Sequence, residues 1–404
     1  MPKKTRIAFL HRYGLEGWVC CGGHAVPAMA ERLAEDFELH FFGPRTTEPP
    51  DPALRARFVL HTLPFRWDRA RPKQKLFKTL LWYFFLPWTA LRCRLLGVRL
   101  VWNDETLPLT AWILKIFYGG RTAITVMDFF VRIYTDRHPR LRFLRDLVEK
   151  IDFAGWRRTD LLFVKVLYTR QFLARHGVPP EKVRLYRNPV DLSRFHPLSP
   201  AERRAARKRF GFAEGDIVLT HHGILHPNKG NDWILRRLAE ILEARPDLPL
   251  RFLLIGDGPE KPRLEKLADR LGLADRVVFT GWLPSEAALN EALACADIGL
   301  VMRIGQPTDH FHMTDTLAHE TACAKPVLAV NLRGIAEIIR DGENGFLFDP
   351  DDPAAFREKL LALAADPALR RKTGEAALET IRRVGDTAAI AEALARSIRE
   401  VATR

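Results

Sequence analysis

Short apolar runs alternating with amphipathic helices, in two successive series, constrain this chain most. TRIAFLH (5–11), FELHFFG (37–43), VRLVWND (98–104), TAITVMD (122–128) and DLLFVKV (160–166) form the first series. DIVLTHHG (216–223), LRFLLIG (250–256), RVVFTG (276–281), DIGLVM (297–302) and KPVLAV (325–330) form the second. Between them lie helix-length stretches with helical periodicity, such as AVPAMAERLAEDF. Parallel strands need crossovers of that length, so the pattern predicts an α/β protein with two doubly wound, Rossmann-like domains facing across a cleft. The periodicity breaks at NPVDLSRFHPLSP (188–200), where three prolines and two serines stand in thirteen residues. The domains are therefore expected at 1–190 and 191–385, with a helix at 386–404 able to pack back on the first. The segment 351–404 reads as helical throughout, Pro367 opening a second helix. Sheets of this kind bind ligands beyond the carboxyl ends of their strands, at the point where strand order reverses.

Charge separates the two halves. Up to residue 190 there are 33 Lys and Arg against 17 Asp and Glu; beyond it there are 30 against 32. The excess sits in the first half, and an anionic partner should meet the chain there. The segment RWDRARPKQKLFKTLLWYFFLPWTALRCRLLGVR (66–99) concentrates it, with basic residues on both sides of LLWYFFLPW. Trp82, Tyr83 and Trp88 are residue types that favour the headgroup level, and the apolar run is too short to span a bilayer. The segment reads as an interfacial anchor for an anionic membrane surface. The plain alternative is a buried helix with a solvated basic flank. Nucleic acid is not expected as a partner, because the aromatics are contiguous rather than spread along a groove. The apolar run after the first lysines is shorter than a signal-peptide core. The five cysteines are scattered without metal or disulfide spacing. A cytoplasmic protein held peripherally on the inner face of the cell membrane is the expectation.

Several strand ends carry residues suited to binding. GILHPNKG (223–230) places Lys229 in a strand-to-helix loop, where backbone N–H groups and a cation can meet a phosphate. IGDGP (255–259) makes a second glycine turn. CCGGHAVPAMAERLA places Gly22 and Gly23 where a backbone can approach a ligand closely. PTDHFHMTDTLAHETACAKPV (307–327) gathers His310, His312 and His319 with Asp309, Asp315 and Glu320. Asp315 and His319, at i and i+4, are one pattern a metal site could use. Thr314 can cap the helix that follows, and the open N–H groups of its first turn favour an anion.

Taken in order, these pieces resemble the retaining GT-B glycosyltransferases of family 4, which use nucleotide-sugar donors. RNPVDLSRF is similar to the family's NGVD-xx-F, and GILHPNKG to its GR-x-x-x-x-KG loop. TDTLAHETACAKPVLA resembles SNTLLEAMACGKPVVA, and GIAEIIRDGENGFLFDPDD is close to G-xx-EII-DG-NG-L. The likeness is strong over about 183–375 and sparse before it. It implies a GT-B fold with the donor in the second domain and a glycan or lipid-linked acceptor in the first. It implies that Lys229 and the helix start at Thr314 and Asp315 hold the diphosphate, with Arg303 able to add its charge, and that either His319 or Glu320 meets the ribose, with His312 toward the sugar. Gly22, Gly23 and Asp128 would lie on the acceptor side, Asp128 as base or positioner. No cofactor and no metal are implied; helix amides and cations would stabilise the departing diphosphate. A hexosyltransferase acting on a lipid-linked or envelope glycan is the expectation.

The motifs also depart from the family's pattern. Ile224 stands where the loop arginine belongs, and Met127 where a histidine precedes Asp128. Phe311 and His319 replace a pair of glutamates, the second of which usually grips the ribose. A transferase-like scaffold or glycan-binding partner subunit that has lost catalysis is the alternative these changes suggest.

Overall fold

The computed structural model describes residues 4–20, 25–46, 51–67, 75–127, 129–135, 139–304 and 307–404. Gly22, Gly23, Asp128 and residues 68–74 of the basic segment lie outside the described residues. The chain divides into two compact units, Met1–Pro189 with Thr387–Arg404, and Val190–Asp386.

The first unit is built on a seven-stranded, wholly parallel sheet of order β3-β2-β1-β4-β5-β6-β7. Its strands are β1 (Thr5–Leu10), β2 (Phe37–Thr46), β3 (Phe58–Trp67), β4 (Leu100–Asn103), β5 (Arg121–Val126), β6 (Leu161–Val164) and β7 (Val183–Leu185). Side chains alternate across a strand, so β1 feeds two cores. Ile7 and Phe9 join Trp18, Phe41, Trp102 and Phe163 on one face. Ala8 and Leu10 join Phe42, Trp82, Leu86 and Cys93 on the other. The Thr387–Thr403 helix completes the first of these cores with Ala391, Leu394, Ala395 and Ile398. Arg32–Glu392 and Arg399–Asp36 ion pairs flank that packing.

The second unit repeats the plan. Its order is β10-β9-β8-β11-β12-β13, again all parallel. The strands are β8 (Ile217–His222), β9 (Leu250–Ile255), β10 (Val277–Gly281), β11 (Ile298–Val301), β12 (Val327–Val330) and β13 (Phe346–Phe348). Strand order reverses between β1 and β4 in one unit, and between β8 and β11 in the other. Each reversal is a topological switch point. Three helices follow β13: Pro353–Ala365, Pro367–Val384 and Thr387–Thr403. Asp352 and Asp366 cap the first two, each followed by a proline that needs no N–H partner.

Three strands escaped the sequence pattern. β7 and β13 are three residues long, below any readable period. β3 contains Pro64 and polar residues, tolerable because it is the sheet's edge.

The Lys75–Leu95 helix corrects part of the membrane expectation. Trp82 is fully buried in the sheet core beside Leu86, Ala90 and Cys93 and reaches no interface. Tyr83 packs against that core and donates its hydroxyl to Pro108 O at 2.9 Å. Trp88, by contrast, is exposed, with the Arg92 guanidinium 5.1 Å from its ring centroid. Phe77, Leu80, Phe84, Trp88, Leu91 and Leu95 are all exposed, and their three- and four-residue spacing makes one stripe. Among the described residues, no helix is long and apolar enough to cross a membrane.

Candidate functional site

In the second unit, residues following β8 and β11 converge at the switch point. β8 ends in His222 and turns at Gly223, whose φ is 130°. A Cβ on Gly256, directly after β9, would lie 2.0 Å from Gly223 O, so the two turns pack backbone on backbone. That close approach requires glycine. A short 3-10 turn, Pro227–Lys229, then brings the Lys229 side chain back over Gly223.

Lys229 is half-buried and lies within electrostatic reach of Arg303, Asp309 and Asp315. Burial first, and then Arg303, push its pKa down to about 8. Arg303 stands just past the end of β11 and donates to buried Asp309 at 2.7 Å. Its Nε is buried without a hydrogen-bond partner among the described residues. Two cations are therefore held at one strand edge, with a carboxylate orienting one of them.

The Asp315–Ala322 helix begins at the same place. Thr314 is its N-cap, its hydroxyl accepting from Leu317 N at 3.3 Å. Thr316 Oγ1 donates to His222 O at 3.1 Å, tying the helix start to the end of β8. The positive end of this helix and the two cations make an environment suited to an anion.

One turn along, His319 is half-buried and stacks face to face on Phe195, ring centroids 3.9 Å apart. Its Nδ1 lies 3.0 Å from His222 Nε2. Glu320 points the other way, which corrects its expected role as a sugar ligand. It is 0 % exposed, and its Oε1 accepts from Thr220 Oγ1 at 2.8 Å. The missing side chain of Gly299 makes room for it: a Cβ there would lie 2.9 Å from Glu320. Burial pushes the Glu320 pKa up to about 8, with Thr220 and Lys325 opposing.

The other histidines of this stretch diverge. His310, within the 3-10 turn Pro307–Phe311, accepts through Nδ1 from Arg333 N at 3.2 Å. His312 is half-buried between that turn and the helix, its N donating to Asp309 O at 3.1 Å. Among the described residues, no three His, Cys, Asp or Glu side chains converge as a metal-binding set. Ile224 is half exposed and contributes no charge to the loop.

The first unit's switch point holds a buried polar cluster that sequence reasoning overlooked. Arg12 Nε lies 2.7 Å from Glu105 Oε1, and the guanidinium also meets Thr79 Oγ1 and the Tyr13 hydroxyl. Glu105 is pushed up to about 7 by burial, against the pull of Arg12. The signal was present: His11-Arg12 and Asp104-Glu105 each follow directly on an apolar strand run.

Comparison with known proteins places this geometry. Residues 216–366 match the family Glycosyl transferases group 1. That span contains Lys229, Arg303, Thr314, Asp315 and His319. The putative glycosyltransferase EpsD of Bacillus subtilis is 32% identical over 203 residues, 50% of this chain and 51% of its own. A D-inositol 3-phosphate glycosyltransferase of Streptomyces scabiei is 33% identical over 246 residues, 59% of this chain and 53% of its own. The chain spans about half the length of the curated relatives it matches. Solved structures extend the likeness in fold. Sucrose-phosphate synthase from Thermosynechococcus elongatus aligns with a TM-score of 0.75 at 22% identity, over 98% of this chain and 99% of that one. HepE of Anabaena, solved with UDP and glucose, aligns at 0.70 and 16%, over 98% and 100%. The fold is GT-B.

Proposed function

We propose that the chain is a retaining glycosyltransferase. It moves a hexose from a nucleoside-diphosphate sugar to a lipid-linked or cell-envelope glycan at the cytoplasmic face of the membrane. The observation that carries this reading is the meeting of Lys229, Arg303 and the Thr314-capped helix start at the switch point of the second unit. In this reading the diphosphate lies there, its leaving charge met by protein cations and amides without a metal ion. His319 takes the ribose, and His312 lies toward the transferred sugar. The first unit takes the acceptor, with Gly22, Gly23 and Asp128 on that side. Retention and the hexose class rest on the motif resemblance. HepE, solved with UDP and glucose, supports the nucleotide-sugar class of donor. The apolar stripe from Phe77 to Leu95, flanked by Arg92, Arg94 and Arg99, supports docking on an anionic lipid surface.

The test is transfer itself. The protein is incubated with UDP-, GDP- and ADP-hexoses and a membrane lipid extract, and nucleoside diphosphate release and product anomer are followed. One donor should react and its anomeric configuration should persist in the product; inversion would contradict the mechanism, and no transfer from any donor the activity.

A further inference from the structure

The second unit carries a basic groove at the edge of its sheet opposite to Lys229 and Arg303. It runs along the Pro200–Arg209 helix, PAERRAARKR, which Ser199 and Glu202 cap reciprocally. Arg203 donates to Asp297 Oδ1 at 2.7 Å, and Arg207 to Asp297 Oδ2 at 3.1 Å. Asp297 stands just before β11; Asp216, whose carbonyl accepts from Arg207 at 2.6 Å, stands just before β8. The groove therefore lies at the amino ends of these strands. Lys229, Arg303 and Thr314 lie past their carboxyl ends, roughly 20 Å away along a strand of β8's length.

Arg203 and Arg207 form an inner rank on this helix, and Arg204 and Lys208 an outer one, each pair at i and i+4. Arg207 is 4 % exposed, and its Nε is buried with no hydrogen-bond partner among the described residues. Arg204 and Lys208 are exposed, and neither forms an ion pair among the described residues. Glu214 is the one carboxylate that lines the groove with these four cations, and Asp297 bridges the inner two. Asp216 is taken by Arg251, 3.7 Å away. Four cations thus meet two carboxylates. Like charges one helical turn apart repel, and the helix dipole favours only those in the last turn. Buried Lys325 adds to the same field, its pKa lowered by burial and then by Arg203.

The groove measures about 440 Å³, with Leu198 and Phe212 as its apolar wall. That is the size of a small-molecule site and far more than a phosphate group fills. Among the described residues, no large apolar side chain is exposed on this helix, so nothing there would enter a bilayer. We propose that the groove binds a soluble phosphate monoester of sugar-phosphate size. Its phosphoryl group lies between Arg203, Arg204 and Lys208, and its organic body lies against Phe212. A phosphate monoester carries close to two negative charges at neutral pH, the number the groove leaves uncompensated. Asp297 already orients the Arg203 guanidinium, whose planar donors suit phosphate oxygens. The site is separate from the donor site, and its ligand is not the sugar donor.

Calorimetry on the full chain with ribose 5-phosphate, ribose and inorganic phosphate tests this. Ribose 5-phosphate should bind, ribose should not, and inorganic phosphate should bind more weakly than the ester. Arg204→Ala combined with Lys208→Ala removes two exposed side chains, so the fold should stand. It should weaken ribose 5-phosphate binding roughly tenfold or more, as expected for lost charge-assisted hydrogen bonds. Lys229→Ala should leave that binding unchanged. Bound ribose 5-phosphate should also protect Lys208 from acetylation, read by peptide mass spectrometry. No binding at millimolar concentration overturns the proposal. So does equal affinity in wild type and the double variant, or a loss in Lys229→Ala instead. Vesicles of phosphatidic acid offer the same chemistry on a lipid, and wild type and double variant should float with them alike. Flotation that needs Arg204 and Lys208, without ribose 5-phosphate binding, would overturn the soluble ligand. Each outcome stands whether or not the donor site binds a nucleotide.

Discussion

His319 lies flat against Phe195, centroids 3.9 Å apart and planes 10° from parallel, with His222 holding its inner nitrogen. A half-buried imidazole is thereby held in one orientation at the strand edge where Lys229 and Arg303 stand. Phe195→Leu keeps an apolar side chain in place and removes the ring contact, worth about 0.5–1.5 kcal/mol. Nucleoside diphosphate affinity should fall roughly two- to tenfold by calorimetry, with pyrophosphate binding unchanged.

Lys229 makes donor binding pH-dependent. Its pKa in the unliganded protein is lowered to about 8, chiefly by burial. A bound diphosphate favours the charged form, so binding raises that pKa and takes up a proton. Affinity should decline as pH rises through 8. Calorimetry in buffers of different ionisation enthalpy should report proton uptake near that pH; proton release would contradict the assignment.

Glu320 imposes a pH dependence on stability. Its pKa is raised from 4.5 to about 8 by burial, so within that window the folded protein holds a proton the unfolded chain releases. Stability from this group is complete below 4.5 and is lost as pH rises toward 8. Glu320→Gln should flatten the fall of the urea midpoint over that range. Parallel curves for wild type and variant would contradict the raised pKa.

The two sides of the Lys75–Leu95 helix should respond differently to substitution. Leu86 is fully buried, and Leu86→Ala should cost about 2–5 kcal/mol of stability. Phe84 is 75 % exposed, so Phe84→Ser should change stability by no more than about 0.5 kcal/mol. If the stripe docks on lipid, the wild type should float with anionic liposomes at low salt, and Phe84→Ser should float much less. Wild type left at the bottom would end the membrane proposal.

Short continuous apolar runs made the two sheets legible, because a parallel strand such as β1 is buried on both faces, Ile7 and Phe9 on one and Ala8 and Leu10 on the other. Side-chain direction on single helices was less legible. His319 and Glu320 are neighbours about 100° apart around a helix, and either could have faced the ligand. What turns Glu320 inward is Gly299 and Thr220, one vacating space and the other offering a donor, both on neighbouring strands. Those residues are visible in DIGLVM and DIVLTHH, but only the register Gly299↔Thr220 shows that they serve one side chain. Trp82 and Trp88 look alike in an aromatic run, and only packing against Leu10 and Phe42 separates core from surface. The Arg12–Glu105 pair joins residues 93 positions apart, beyond the reach of any local pattern.

The central claim is that the switch point of the second unit binds a nucleoside diphosphate. Thermal unfolding in the presence of UDP, GDP or ADP tests it most directly. A ligand at a hundred times its dissociation constant adds about 2.7 kcal/mol to the native state, and so about 5 °C or more in a unit of this size. One of the three should do so for the wild type, and the shift should vanish in Lys229→Ala. No shift with any of them, or an undiminished shift in Lys229→Ala, would contradict the account.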